Sequence, residues 1–267
     1  MKKLKLTLAA AIAAVGIYAC STVPLTGRSQ LSLVGDDQIN SAAATSYRQL
    51  LSDPKTKVIS SGSDAQRVKA IGGRLATAIE KYLKQNGYGD QYNFSWEFNL
   101  IQSPEVNAWC MPGGKVAVYS GILPVTKTDA GLATVMGHEI GHAIARHSAE
   151  RMSQQLALQA GGAAVGAATS SKSSATQNII NSLYGVGGQL ALLKYSRSQE
   201  SEADRLGLTF MAMAGYDPNE AVSFWQRMAA QNTGGAPPEF LSTHPSDATR
   251  IANIQSLIPE AMKYYKR

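Results

Sequence analysis

His138-Glu139-Ile140-Gly141-His142 places two imidazoles four residues apart with a carboxylate beside the first. On an α-helix residues four apart share a face, so His138 and His142 can offer two ring nitrogens to one Zn²⁺, with Glu139 placed to take a proton from water there. Gly137 and Gly141 bracket that face. They leave room for close backbone or substrate approach where a core helix would carry Ala or Leu.

A catalytic zinc site usually has three protein ligands, which directs attention downstream. In a continuous helix His147 stands about 140° around from His142 and cannot share its face. The metzincin pattern fails as well, because Ala145 stands where its Gly belongs and Ser148 where its third His belongs. Glu200-Ser201-Glu202-Ala203-Asp204 is the stronger candidate. Glu200 and Asp204 are one turn apart, so Glu200 can bind the metal while Asp204 accepts the second ring N–H of a ligating His, His138 being the expected recipient. Glu202 points about 200° away from Glu200 and reads as a solvated face residue.

These motifs, HExxH followed about sixty residues later by ExxAD and then by His244-Pro245, resemble the gluzincin metallopeptidases of the CAAX prenyl protease and HtpX type. Within that family they are most similar to soluble periplasmic lipoproteins of the BepA and LoiP kind, over Asp36 to the C-terminus. The resemblance implies one Zn²⁺ per chain on His138, His142 and Glu200, with Glu139 as the catalytic base. It makes Asn107-Ala108-Trp109 and Pro112-Gly113-Gly114 an edge-strand motif where an extended peptide adds as a strand. Asn107 is therefore a substrate-binding candidate, with a turn-capping Asn as its plainer reading. His244, with Arg250 on the following helix, matches the family's His-Pro-x-x-x-x-Arg stretch. The resemblance gives His244 one of two roles, a transition-state hydrogen-bond donor or a fourth, autoinhibitory ligand. Arg250 is a candidate to orient the site or bind substrate carbonyls, and equally a structural ion-pair partner.

The elements that must carry these residues are mostly helical. Asp36 and Asp37 can cap a helix to about Leu51, and Val68, Ile71, Leu75, Ile79 and Leu83 recur at intervals of three and four after Ser63-Asp64, until Asn86-Gly87. Tyr92 to Ile101, Asn107 to Met111 and Lys115 to Tyr119 change to a period of two around Pro112-Gly113-Gly114, predicting a small antiparallel sheet. A helix opened by Thr126 to Asp129 is expected to carry the HExxH face and continue through Met152. Ala160 to Thr176 and Gly185 to Leu193 are rich in Gly, Ala and Ser and read as a helical hairpin or gate. Further helices are expected over Gln199 to Ala214, over Asn219 to Gln231 with Asp217 as cap, and from Asp247 until Pro259 breaks the last, which resumes to Tyr265. Gly234 to Pro238 reads as a flexible loop. The expected fold is mainly α with a small antiparallel β-sheet, a gluzincin-type α+β domain.

The N-terminus adds a location. Lys2, Lys3 and Lys5 precede an apolar run from Leu6 to Ile17, shorter than the roughly 20 residues a membrane span needs, and Ala19-Cys20 follows. Ala19-Cys20 resembles the lipobox of bacterial lipoproteins, so residues 1–19 read as a lipoprotein signal peptide and Cys20 as the lipidated residue, with an ordinary signal peptide cleaved near Ala19 as the plainer reading; 20–35 read as a tether or surface arm, and 36–267 as the peptidase domain. Ser21 after the Cys is similar to lipoproteins sent to the outer membrane, so the expected place is the periplasmic face of the cell envelope. The expected substrates are unfolded or misassembled envelope proteins. Removing residues 1–19 takes away three lysines and no acids, which leaves 22 basic and 19 acidic residues and reduces the net charge from +6 to +3. The basic balance is thus largely a leader effect and excludes a nucleic-acid partner as its explanation. Cys110 is the second of only two cysteines, so no disulfide framework is expected.

Overall fold

The computed structural model describes residues 20–164, 195–231, 238–244 and 248–266. Residues 1–19, expected above to be a signal peptide, nearly all of the Gly/Ala-rich 160–193 stretch, most of the 234–238 loop and Asp247 lie outside the described residues.

The chain opens with a hairpin of β1 (Cys20–Thr22) and β2 (Ser29–Leu31), in which Cys20 stands opposite Leu31. Helix α1 (Asp36–Ser52), strand β3 (Val58–Ile59) and helix α2 (Ser63–Gln85) follow. Next come β4 (Glu97–Ile101), β5 (Ala108–Met111) and β6 (Lys115–Tyr119). The remaining described helices are α3 (Leu123–Thr126), α4 (Asp129–Ile144), α5 (His147–Ala164), α6 (Arg197–Met213), α7 (Glu220–Ala229), α8 (Glu239–Thr243) and α9 (Ala248–Ala261).

The fold is mostly helical, as the periodicity implies, but the larger sheet is mixed rather than antiparallel. Its order is β3-β4-β6-β5, with β4 parallel to β6 and the other two pairings antiparallel. A period of two reports which face a side chain takes and carries no information on neighbour or direction, so the inserted β6 was not legible. Between β5 and β6 the chain turns through Gly113 and Gly114 at φ 77° and 82°, values that disfavour any side chain. A Cβ on Gly114 would also lie 2.6 Å from the Trp96 ring.

Alternation then sorts the sheet into two cores. Ala117, Ile101 and Met111 face α1, where fully buried Tyr47 donates from its hydroxyl to the Val116 carbonyl at 2.7 Å. Leu100, Ala108, Val116 and Val118 face the main core with α2 and α4. Helix α4 lies at the centre of this core: Leu132, Val135, Met136, Ile140 and Ile144 are all fully buried. Each such side chain contributes about 1.5–3 kcal/mol of burial free energy, so the helix that presents the HExxH face is among the most firmly seated.

Two features of α4 place the site. Glycines bring it against α6: a Cβ on Gly207 would sit 2.7 Å from the His138 backbone nitrogen, and one on Gly141 would sit 2.9 Å from the Ala203 carbonyl oxygen. The space that Gly137 and Gly141 leave is therefore filled by the backbone of the helix that carries Glu200. The second feature is a break. Instead of running on through Met152, α4 stops at Ile144, Arg146 takes φ 53°, and α5 starts at His147. The guanidinium of Arg146 holds this left-handed turn through an ion pair to Asp36 at 2.6 Å, a hydrogen bond to the Gln91 carbonyl and a position 4.2 Å over the Tyr92 ring.

Two smaller expectations are corrected near the C-terminus. Pro259 does not break α9, which reaches Ala261 before a 3₁₀ turn over Met262–Tyr264. It lies within the helix's last turn, so the i→i−4 bond that its missing N–H removes is followed by only two further helical residues. Helix α7 starts at Glu220, and Asp217 accepts from the Asn219 backbone N–H at 2.9 Å instead of capping the helix. Among the described residues no helix is long and apolar enough to cross a membrane.

Candidate metal centre

The α4–α6 contact lays the Glu200 carboxylate across the His138–His142 face. Its Oε2 is 3.5 Å from His138 Nε2 and its Oε1 is 3.3 Å from His142 Nε2, while the two Nε2 atoms are 3.1 Å apart. His244, just past α8, closes the group: its Nδ1 lies 2.9 Å from Glu200 Oε1 and 3.1 Å from His138 Nε2. All four residues are buried, and one ligand atom from each lies within 4.8 Å of the others. Ring nitrogens and carboxylate oxygens at such spacing are held together by shared ring protons or by a cation, and one metal ion among the four would satisfy them all at once. Nitrogen and oxygen donors of this kind fit Zn²⁺.

The surroundings fix each group. His138 Nδ1 donates to Asp204 Oδ1 at 2.9 Å, which leaves Nε2 to face the other donors and brings Asp204 to the ring expected as its partner. Burial works against the charged form of His138, but the carboxylates of Asp204 and Glu200 outweigh it and raise the ring to about 9. Burial likewise works against ionised Glu200, and the three facing imidazoles overcome it, holding this carboxyl far below the usual range. Glu139 is different. Burial raises it above its ordinary value, and its Oε1, 3.4 Å from His244 Nε2, is buried with no hydrogen-bond partner among the described residues. An acceptor orphaned beside the donor set is the arrangement a general base for water requires.

The other expected residues fall as follows. Arg250 is buried, with Nε and Nη2 donating to Asp204 at 2.9 and 2.8 Å, Nη1 to Glu200 Oε2 at 3.0 Å, and its guanidinium 3.6 Å over Trp225. The structure thus places it behind the ligands, as a partner of their carboxylates. Asn107 stands at the start of β5, where its Oδ1 accepts from the Ala108 N–H at 2.9 Å and its carbonyl accepts from the Tyr119 N–H at 3.0 Å. Strand β5 is at the edge of its sheet and packs beside α4. A cleft of about 480 Å³ runs from Cys110 and Pro112 past His142 and Ala143 to Asp36 and Tyr92. Cys110 is half-buried and unpaired, and Cys20 is exposed.

Sequence reasoning missed three groups. Glu202 is buried rather than solvated, with Oε1 accepting from Thr26 at 2.5 Å and Oε2 from Arg28 Nε at 2.7 Å. Burial raises this carboxyl, and hydrogen bonds from His147, Thr26 and Arg28 more than reverse it, to about 2. His147 reaches His142 after all, Nδ1 to Nδ1 at 2.7 Å, because the turn at Arg146 swings it back. Tyr195 stacks on His142 with centroids 3.9 Å apart. No local pattern signals the break, since neither Gly nor Pro stands at 145–146.

The sequence model described as peptidase family M48 matches residues 65–258. The chain is 32% identical over 264 residues to the mitochondrial metalloendopeptidase OMA1 of Schizosaccharomyces pombe, which covers 97% of this chain and 74% of that protein. It is 32% identical over 260 residues to the human mitochondrial metalloendopeptidase OMA1, covering 90% of this chain and 46% of that protein. The β-barrel assembly-enhancing protease of Escherichia coli matches at 26% over 195 residues, 72% of this chain and 38% of its own length. The periplasmic type anticipated from the motifs is thus matched at lower identity, and over less of the chain, than these two mitochondrial proteins. The chain spans less than half of the human and E. coli proteins.

Proposed function

The chain belongs to peptidase family M48 and is a metalloendopeptidase, and from that premise we propose that it degrades unfolded or misassembled proteins of the cell envelope through one Zn²⁺ held by His138, His142 and Glu200. The observation that carries the reading is the buried convergence of these donors beside the orphaned Glu139 oxygen. When bound, the ion supplies Lewis-acid polarisation and acidifies water. Glu139, raised by burial, accepts the proton of the attacking water and delivers it to the leaving amine. Asp204 and Arg250 keep the ligand side chains in place from behind. An extended substrate adds to the β5 edge, with Asn107 at its start and the 480 Å³ cleft receiving one side of the chain. Cys20 carries a lipid that anchors the chain at the periplasmic face, so a Cys20→Ala chain is expected to leave the membrane fraction, and its retention there would contradict the anchor.

A specific observation favours a second reading, in which proteolysis is latent and the chain acts as a chaperone or scaffold. His244 Nδ1 stands within the donor group, where it can occupy the fourth position as a ligand. In the open arrangement His244 instead donates to the developing oxyanion. Incubating zinc-loaded wild-type and His244→Ala protein with unfolded casein separates the two. Cleavage by the variant alone supports latency, and cleavage by wild type lost in the variant supports the donor role. The envelope substrates themselves are read by comparing cleaved N-termini between wild-type and Glu139→Gln cells, and identical sets would overturn the quality-control role.

A further inference from the structure

The N-terminal hairpin is bonded into the body far more closely than a tether requires. Val23 is fully buried, and the Leu33 N–H donates to Ser153 Oγ at 2.9 Å. Arg28 Nη1 and Nη2 donate to the two oxygens of Glu150 at 2.7 and 3.0 Å, while its Nε donates to Glu202. From Glu202 the contacts continue inward, to His147 Nε2 at 3.0 Å and then from His147 Nδ1 to His142 Nδ1 at 2.7 Å.

We propose that Arg28, Glu202 and His147 form a positioning relay through which the N-terminal arm fixes the imidazole of His142, so that the arm is a working part of the metal centre. The proposal rests on the zinc reading of the site given above. Its direction follows from which atoms can donate. An ionised carboxylate only accepts, and beside the Arg28 guanidinium Glu202 is ionised, so His147 carries its proton on Nε2 and donates it. A neutral imidazole protonated on Nε2 offers a lone pair at Nδ1. The close contact between the two Nδ1 atoms is then a hydrogen bond only if His142 donates from Nδ1. His142 Nε2 is left bare, facing His138 and Glu200.

Asp204 does the same for His138 in one step. For His142 the anchoring charge is one group further out, and the cation that balances it comes from a segment more than 170 residues away in the chain. Outer partners of this kind orient a ligand and raise its basicity, and their loss costs about 10- to 100-fold in metal affinity. The turn at Arg146 is what allows the relay, since only there does the backbone bring His147 back over His142.

The test uses the full chain and compares wild type with His147→Asn, His147→Gln and Arg28→Ala. Zinc dissociation constants are measured by chelator competition, and the visible spectrum of the Co²⁺-loaded form reports ligand geometry. The Asn amide oxygen reaches the place of Nδ1 and can accept from His142. The Gln amide reaches the place of Nε2 and keeps only the bond to Glu202. The relay predicts that His147→Gln weakens zinc binding about 10- to 100-fold with an altered Co²⁺ spectrum, that His147→Asn restores most of it, and that Arg28→Ala shows a smaller loss. Arg28 is one-third exposed in its side chain, so its variant remains readable if a His147 variant does not fold. Wild-type affinity and spectrum in Arg28→Ala, or equal affinities in the Asn and Gln variants, would overturn the relay. A wild-type chain that takes up no zinc would instead overturn the zinc reading.

Discussion

His138 and His142 differ in what holds the far side of each ring, and that difference sets their sensitivities. His138 donates directly to Asp204, which Arg250 also holds with two hydrogen bonds. Asp204→Ala therefore removes the acceptor and takes two hydrogen bonds from a buried guanidinium. Zinc affinity is expected to fall about 10- to 100-fold, measured by chelator competition, and unchanged affinity would contradict the assigned role. Glu200 and Asp204 were legible because a one-turn spacing puts two carboxylates on one face, and HExxH was legible for the same reason. His147 and Glu202 were not. Their angles were reckoned on unbroken or solvent-facing helices, whereas the turn at Arg146 and the docking of Arg28 redirect both. Arg250 could be seen as a candidate, but its partners could not, because they depend on how α9 meets α6.

At the scale of elements, the site depends on how closely two helices approach. The α4–α6 contact leaves no room at Gly207, where a Cβ would lie 2.7 Å from the His138 backbone nitrogen. Gly207→Ala must push the helices apart, at a cost of about 1–3 kcal/mol, read from the denaturant midpoint. The same displacement moves Glu200 away from the imidazoles, so zinc affinity falls with stability. A variant with wild-type midpoint and affinity would show that the approach is slack. The helices themselves were readable from apolar spacing, with bounds near those observed for α1, α2 and α6. Sheet order was not, since β6 enters between β4 and β5 without any residue pattern that records it.

For the whole molecule, the arm and the metal join the sequence ends of the fold to its centre. Glu202 is held at about 2, below the ordinary carboxyl value of 4.5, by its bonds to His147, Thr26 and Arg28 against the opposing effect of burial. A depressed folded value means that its stabilisation is complete above about pH 4.5 and is lost as the pH falls toward 2. Zinc-free wild type should therefore lose stability over that window by more than zinc-free Arg28→Ala, as followed by urea unfolding at each pH. Parallel curves would contradict it. Metal removal acts on the whole fold as well. Because the proposed ligands His138, His142 and Glu200 join α4 to α6, zinc stabilises the folded state over the unfolded one; at 100 times its dissociation constant it adds about 2.7 kcal/mol, and a chelator should lower the melting temperature accordingly.

The central claim is that the buried donors hold zinc while Glu139 performs the proton transfer. It is tested most directly by measuring zinc content and casein cleavage side by side in Glu139→Gln and its parent, using His244→Ala as the parent if wild type is latent. One zinc per chain is expected in both proteins, with cleavage only by the parent. Cleavage at the parent's rate by zinc-loaded Glu139→Gln protein would contradict it.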